Sequence, residues 1–265
     1  MLIERRAGPI TFDWLKGGTR LMSEEIGPAS FFQSTSRAFG ETISARRTRP
    51  ELVALLCAQA FDSFTKNVAI QAEGDPALAC HGECAGCCRL RVVATAPEVF
   101  LLARFISVNA AAFAERGIML LQRVADADRA LGALSEEQRM AAQGACPLIE
   151  RELCLAYKMR PLACRGHAAF DKASCLAAAR GEAVEAPIST PHLVVRSLVQ
   201  NALMASLRRA GLAWGLYEIN RALNVALSAP NALEQWISGE DPLASARIPD
   251  FDMAEAGAIF DAVEG

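Results

Sequence analysis

The chain has 265 residues, of which 52% are hydrophobic and 22% charged, so it can bury a sizeable core of its own. Its formal net charge of −3 argues against a groove that neutralises many nucleic-acid phosphates. The longest uncharged run, 222–233, has 12 residues and is well short of the roughly 18 to 20 that a membrane helix needs. We therefore expect neither a nucleic-acid partner nor a membrane span.

Residues 1–49 are predicted to form an N-terminal arm, an irregular lead-in that docks on the body of the protein. They carry Gly, Ser and Thr together with scattered aromatic residues that follow no clear period. These aromatic residues are Phe12, Trp14, Phe31, Phe32 and Phe39.

A helix is predicted from Glu51 to about Ala72, with Thr48 and Pro50 marking its start. Its apolar residues recur at near-helical spacing. They include Leu52, Leu55, Leu56, Ala60, Phe64 and Ile70. Cys57 lies inside this helix, far from the other cysteines in sequence, and is interpreted as a small buried hydrophobic residue.

Several short elements are predicted between residues 91 and 144. Arg91–Val93 favours a short strand, and Thr95-x2-Glu98 has the form of a capping box that opens a helix. A second helical stretch is expected over 111–134, and Ser135 opens a third helix that ends before Gly144.

The stretch 146–175 is rich in turns, and helix resumes over about 191–227. Gly211 and Gly215 are the expected break points of that stretch. Asn231 is predicted to cap another short helix that runs through Trp236.

The predicted fold class is mainly α, with helices packed around an irregular cysteine-rich metal-binding centre and few or no short strands. Beyond the arm at 1–49, we predict a helical domain over 50–228 that contains the cysteine cluster at 80–175. A C-terminal helix and tail follow over 229–265.

Eight of the nine cysteines fall into two groups. The first holds Cys80, Cys84, Cys87 and Cys88, and the second holds Cys146, Cys154, Cys164 and Cys175. The chain starts Met-Leu-Ile-Glu-Arg-Arg, without the apolar stretch and cleavage site of a secretory signal, so we expect a reducing, cytoplasmic location. Metal thiolates are therefore favoured over disulfides.

Tetrahedral zinc and iron–sulfur clusters each usually take four cysteine thiolates, so eight can serve one centre with spares or two full sites. Gly82 and Gly86 favour a looped first segment that wraps around a metal. Because Cys87 and Cys88 are adjacent, they project in different directions and suit either two metal centres or one ligand and one neighbouring thiol.

Basic and histidine side chains accompany the cysteines. The basic residues of the second group can stabilise cluster charge or donate hydrogen bonds to sulfur, or form ordinary surface pairs. They are Arg151, Lys158, Arg160, Arg165 and Lys172. His167 lies in a Cys-x2-His spacing compatible with zinc ligation or with a plain hydrogen bond, and His81 is similar. His192, ahead of a helix, is interpreted as structural.

The run Cys80-x3-Cys84-x2-Cys87 also matches the cluster motif of radical S-adenosylmethionine enzymes. Those enzymes usually carry an aromatic residue where Gly86 stands here, and no βα repeat follows. Neither a dinucleotide fingerprint nor a phosphate-binding loop is present. S-adenosylmethionine stays open as a cofactor, but no motif supports it.

Two separated cysteine groups, Thr95-x2-Glu98 and the run Tyr157-x2-Arg160-Pro161-x2-Cys164-Arg165 occur in the order typical of one family. Over about residues 80–175 the chain resembles the YkgJ-like cysteine-cluster family, described as zinc- or iron-chelating and including bacterial flagellin lysine N-methylases. Two positions depart from the family pattern: the first spacing is x3 instead of x2, and His167 replaces an expected aromatic residue. The resemblance implies a metal centre held by the matching cysteines.

The sequence thus predicts a metal-binding protein that holds an iron–sulfur cluster or zinc through thiolates from two segments. One alternative is a cluster-dependent modifying enzyme similar to the flagellin lysine N-methylases. A second alternative is a structural-zinc interaction module. The partner, a protein or a small molecule, is not specified by the sequence, and neither is the existence of a catalysed reaction.

Overall fold

The computed structural model describes residues 27–264, and within them the fold is mainly α, as predicted. The helices are α1 (Pro28–Arg46), α2 (Leu52–Gln71), α3 (Ala96–Ala114), α4 (Leu120–Leu131), α5 (Glu136–Ala142), α6 (Leu162–Gly166), α7 (Lys172–Ala179), α8 (Thr190–Arg209), α9 (Ile219–Ser228), α10 (Ala232–Ser238) and α11 (Met253–Glu264). Four two-residue strands accompany them: β1 (Val93–Ala94), β2 (Ile149–Glu150), β3 (Leu153–Cys154) and β4 (Tyr217–Glu218).

The segment 28–46 is helical, so the expectation of an irregular lead-in is wrong there. Pro28 occupies the first turn, and Phe32, Ser36, Phe39 and Ile43 form a fully buried stripe at steps of four, three and four residues. Ser36 interrupts the apolar pattern of this stripe and donates a hydrogen bond of 2.6 Å to Glu264 at the far end of the chain. The predicted aromatic residues Phe12 and Trp14 lie outside the described residues.

The core is organised around α8, which packs against α1, α2 and α6. A second set of contacts joins α3, α4 and α9, and α2 packs against α3 to connect the two sets. Burial of these apolar faces is the main favourable contribution to folding. Cys57 on α2 is fully buried within this core, as the sequence predicts.

A short antiparallel pair fixes the start of two core helices. Val93 of β1 pairs with Glu218 of β4, and Ala94 pairs with Tyr217. The predicted strand therefore exists, displaced by about one residue. The predicted capping box at Thr95 and Glu98 is present at the start of α3. Helix α3 thus begins just after β1, and α9 begins directly after β4.

Two predicted helical stretches are interrupted. The helix expected over 111–134 begins only at Leu120, because α3 continues to Ala114 and the chain then turns through Gly117 at a φ of 76°. Further on, Gly211 and Gly215 adopt φ values of 64° and 123° between α8 and β4, which confirms them as break points. Asn231 precedes α10 but makes no capping hydrogen bond with its side chain.

Among the described residues, α3 is the one helix long and apolar enough to cross a membrane by length and composition. Its side chains Val99, Leu102 and Ile106 are buried, and the helix packs against α2, α4 and α9. The apolar face of α3 is therefore used for packing within this fold.

Candidate metal centre

The first cysteine segment is a loop that tightens into a 3-10 turn at Gly86–Arg89, in line with the predicted looped conformation. Backbone hydrogen bonds from Cys84 to His81 and from Cys88 to Ala85 fold it on itself. A Cβ at Gly86 would lie 2.5 Å from Leu176 Cδ2 on α7. Glycine therefore lets this loop approach the helix that carries Cys175.

The second segment begins with a tight hairpin formed by β2 and β3. Its two turn residues, Arg151 and Glu152, both have positive φ, 48° and 66°, which matches the twist of a two-residue hairpin but is costly for residues other than glycine. The hairpin places Cys154 opposite Ile149. Just before it, the Cys146 N–H donates to the Cys88 carbonyl at 2.8 Å, so the two cysteine segments are in direct contact.

Glu98 connects the start of α3 to the start of α6, which carries Cys164. Its side chain is fully buried. One carboxylate oxygen accepts the Leu162 N–H at 2.6 Å, and the other accepts the N–H and the hydroxyl of Thr95 at 2.8 Å each. Burial raises the pKa of this carboxyl group, while the three hydrogen bonds oppose that rise. Glu98 is thus an anchor for the Cys164 segment as well as a helix cap.

We predict that Glu98→Gln lowers the free energy of unfolding by about 2–4 kcal/mol, because an amide nitrogen would replace an acceptor and face a buried N–H donor. Chemical denaturation of the metal-free protein measures the change. Glu137→Gln is the matched control, since Glu137 is exposed on α5. Equal stability of the two variants would show that the Leu162 and Thr95 contacts contribute little.

Cys80 and Cys175, the first cysteine of one group and the last of the other, both contact the short stretch 167–169. The Ala169 N–H donates to Cys80 Sγ at 3.2 Å, and the Ala79 N–H donates to the Ala169 carbonyl at 2.9 Å. Cys175 Sγ lies 3.8 Å from His167 Nε2. These contacts hold the outermost cysteines of both groups beside one stretch of backbone, and both cysteines line the same cavity.

All eight predicted cysteines line one cavity of about 320 Å³, which we call the thiol cavity. All nine cysteines are free thiols, and Cys57 is not among those that line the cavity. Within residues 27–264, no three His, Cys, Asp or Glu side chains are grouped closely enough to hold an ion as they stand. The thiols therefore surround the cavity instead of meeting at one point. Their role as ligands stays a prediction.

Burial controls the ionisation of most of these thiols. It raises the pKa of Cys146 and of Cys175 to about 11 and also raises the pKa of Cys164. Cys87 is the exception, because a hydrogen bond from the Cys88 thiol lowers its pKa. The same bond raises the pKa of Cys88. In the metal-free protein, then, most of the donors are held as neutral thiols near neutral pH.

The predicted basic residues divide into two sets. Arg160 and Arg165 line the thiol cavity, whereas Arg151, Lys158 and Lys172 are exposed. None of these three exposed residues lines the thiol cavity.

The histidines all line the same cavity. His81 Nδ1 accepts the Glu83 N–H at 3.3 Å within the first loop. His192 Nδ1 is 2.8 Å from the Ser189 hydroxyl, and its ring meets Phe64 edge to face, in keeping with its structural interpretation. Burial lowers the pKa of His167, which favours the neutral imidazole beside Cys175.

Two further cations near the thiols were not anticipated from the sequence. Arg196 of α8 lines the cavity, and its Nε is buried without a hydrogen-bond partner. Arg139 of α5 is 2% exposed and belongs to no motif in the sequence, yet its charge opposes the rise that burial causes in the pKa of Cys146. Both residues lie on helices whose local pattern shows only helical periodicity, so only the folded arrangement reveals them.

Residues 79–181 match the family model described as CxxCxxCC, a putative zinc- or iron-chelating domain. The match covers about two fifths of the chain and confirms the cysteine-cluster resemblance over this segment. Comparison with curated proteins and with solved structures finds no match. The segment is thus similar to a class of domain described as metal-chelating, and its donor set, eight free thiols around one cavity, fits iron or zinc.

Proposed function

We propose that the thiol cavity binds an iron–sulfur cluster, which is a centre with more than one metal atom. Zinc is the alternative. The observation that carries the proposal is that eight free thiols from two segments line one cavity. A tetrahedral zinc and an iron–sulfur cluster each usually take four thiolates, so this donor set exceeds the need of a single centre of either kind. When bound, an iron–sulfur cluster supplies one-electron chemistry and zinc supplies a structural clamp.

The size of the cavity favours iron–sulfur within this proposal. Zinc binds thiolate sulfur directly at about 2.3 Å and needs no further space. An iron–sulfur cluster adds an inorganic core of iron and sulfide, and about 320 Å³ among the thiols accommodates one. The cysteines that would hold it are Cys80, Cys84, Cys87, Cys88, Cys146, Cys154, Cys164 and Cys175, with the final choice among the eight set by the metal.

The test is elemental analysis of the full chain purified without oxygen. We expect a brown protein with broad visible absorption, several iron atoms per chain and matching acid-labile sulfide. A colourless protein with stoichiometric zinc would support the zinc alternative instead of the cluster. A chain that retains neither metal, even after anaerobic reconstitution with iron and sulfide or with zinc, would overturn the proposed function.

A further inference from the structure

The four arginines that line the thiol cavity differ in the ion pairs and hydrogen bonds that they make within the protein. Arg91 pairs with Glu136 and with Asp250. Arg165 donates to the carbonyls of Arg160 and Lys158, at 2.9 and 2.6 Å, and its guanidinium lies 3.9 Å from the centre of the Phe61 ring. Both of these cations are therefore committed to contacts within the fold.

Arg160 has no such partner among residues 27–264. Its side chain makes neither an ion pair nor a hydrogen bond there, and its Nε is buried and unpaired. The guanidinium lies 3.8 Å from the centre of the Tyr157 ring, which holds it in place without neutralising its charge. A partly buried cation without a counter-ion destabilises the fold. An anionic partner beside Arg160 would therefore be stabilising.

Arg160 lines the thiol cavity together with all eight cysteines of the two segments. Burial raises the pKa of Cys80, Cys154 and Cys164, and the positive charge of Arg160 opposes that rise to a smaller extent. The same charge adds to the lowering of the Cys87 pKa, which is due mainly to the hydrogen bond from Cys88. The two other unpaired guanidinium groups are placed differently. Arg196 interacts electrostatically with Glu98, and Arg139 lies near Glu218 and Cys146. Arg160 is the one of these three whose charge acts on thiols of both segments.

We propose that Arg160 is the counter-ion of the metal centre, a positioning residue whose charge is balanced when the thiols bind metal as thiolates. The inference rests on the proposed function and adds to it the group that sets the electrostatics of the centre. Loss of a positive charge beside an anionic centre disfavours both thiolate formation and the uptake of an electron.

The test compares Arg160→Gln with Lys158→Gln, which removes the same charge two residues away at an exposed position. Each full-length variant is reconstituted anaerobically with iron and sulfide and separately with zinc. For Arg160→Gln we expect metal affinity to fall at least roughly tenfold, the lower end of what loss of an outer partner costs. Its midpoint potential should become more negative, while Lys158→Gln should match the wild type.

Arg160→Lys keeps the positive charge but changes the shape of the side chain. It also tests the inference if Arg160→Gln does not fold. We expect the lysine variant to load metal within a few fold of the wild type, and its metal-free thiols to react with iodoacetamide at a similar rate. Equal affinity and potential for Arg160→Gln and Lys158→Gln would overturn the inference, as would a folded lysine variant that loads no metal. If the wild type itself loads neither metal, the proposed function fails instead, so the two failures are distinguishable.

Discussion

Replacing Cys87 by serine is expected to abolish metal binding while the helical fold persists. Cys87 interacts with six other thiols, because its charge adds to the rise in pKa that burial or hydrogen bonding causes in Cys80, Cys88, Cys146, Cys154, Cys164 and Cys175. A serine hydroxyl does not supply a thiolate, so the loss should exceed the roughly 10- to 100-fold cost of removing an outer partner. Metal content per chain and the circular dichroism of the same sample provide the measurement.

Cys57→Ala is the matched control for this variant. Cys57 is fully buried in the α2 core and does not line the thiol cavity. We expect its replacement to leave metal content unchanged and to affect only stability. Full metal content in Cys87→Ser would exclude Cys87 as a ligand, and complete unfolding of that variant would favour the structural-zinc alternative.

Elements defined by neighbouring residues could be predicted from the sequence. The capping box at Thr95 and Glu98 and the helix around Cys57 depend on contacts within about four residues. The glycine breaks after α8 likewise follow from a conformation that a single residue type adopts easily. Such features are encoded locally and are visible without the fold.

Helix α1 shows where this reasoning fails. The stripe that ends in Phe39 and Ile43 has the correct helical spacing, but Ser36 occupies one of its positions and breaks the apolar pattern. Ser36 is buried because it bonds to Glu264, 228 residues further along the chain. A buried polar residue of this kind follows from a long-range contact, which periodicity alone does not reveal.

The candidate site divides in the same way. Spacing identified the two cysteine segments and the loop around Gly86, because closely spaced cysteines are typical of metal sites. Spacing did not indicate that Glu98 anchors Leu162, or that Arg139 and Arg196 come near the thiols. Each of these contacts joins residues that are far apart in sequence and are brought together only by helix packing.

Metal affinity should rise steeply with pH between 6 and 9. Burial holds the pKa of Cys146 and Cys175 at about 11, and it also raises the pKa of Cys164, Cys154 and Cys80. Metal binds the thiolate, so each ligand with a raised pKa must release a proton. The apparent affinity should therefore increase about tenfold per pH unit for each such proton. Competition titrations of zinc against a chromophoric chelator at pH 6, 7 and 8 measure the slope.

The stability of the metal-free protein should change in the opposite direction. A thiol whose folded pKa lies above its unfolded value contributes stability below the unfolded value, about 8.5, and loses it as the pH rises through the folded value. For Cys146 and Cys175 that window runs from the unfolded value to about 11. Denaturation of metal-free protein should therefore become easier above pH 9, while zinc-loaded protein gains affinity up to that pH.

A zinc affinity that does not change with pH would mean that the zinc ligands are not protonated thiols. That result would exclude Cys146 and Cys175 as the donors.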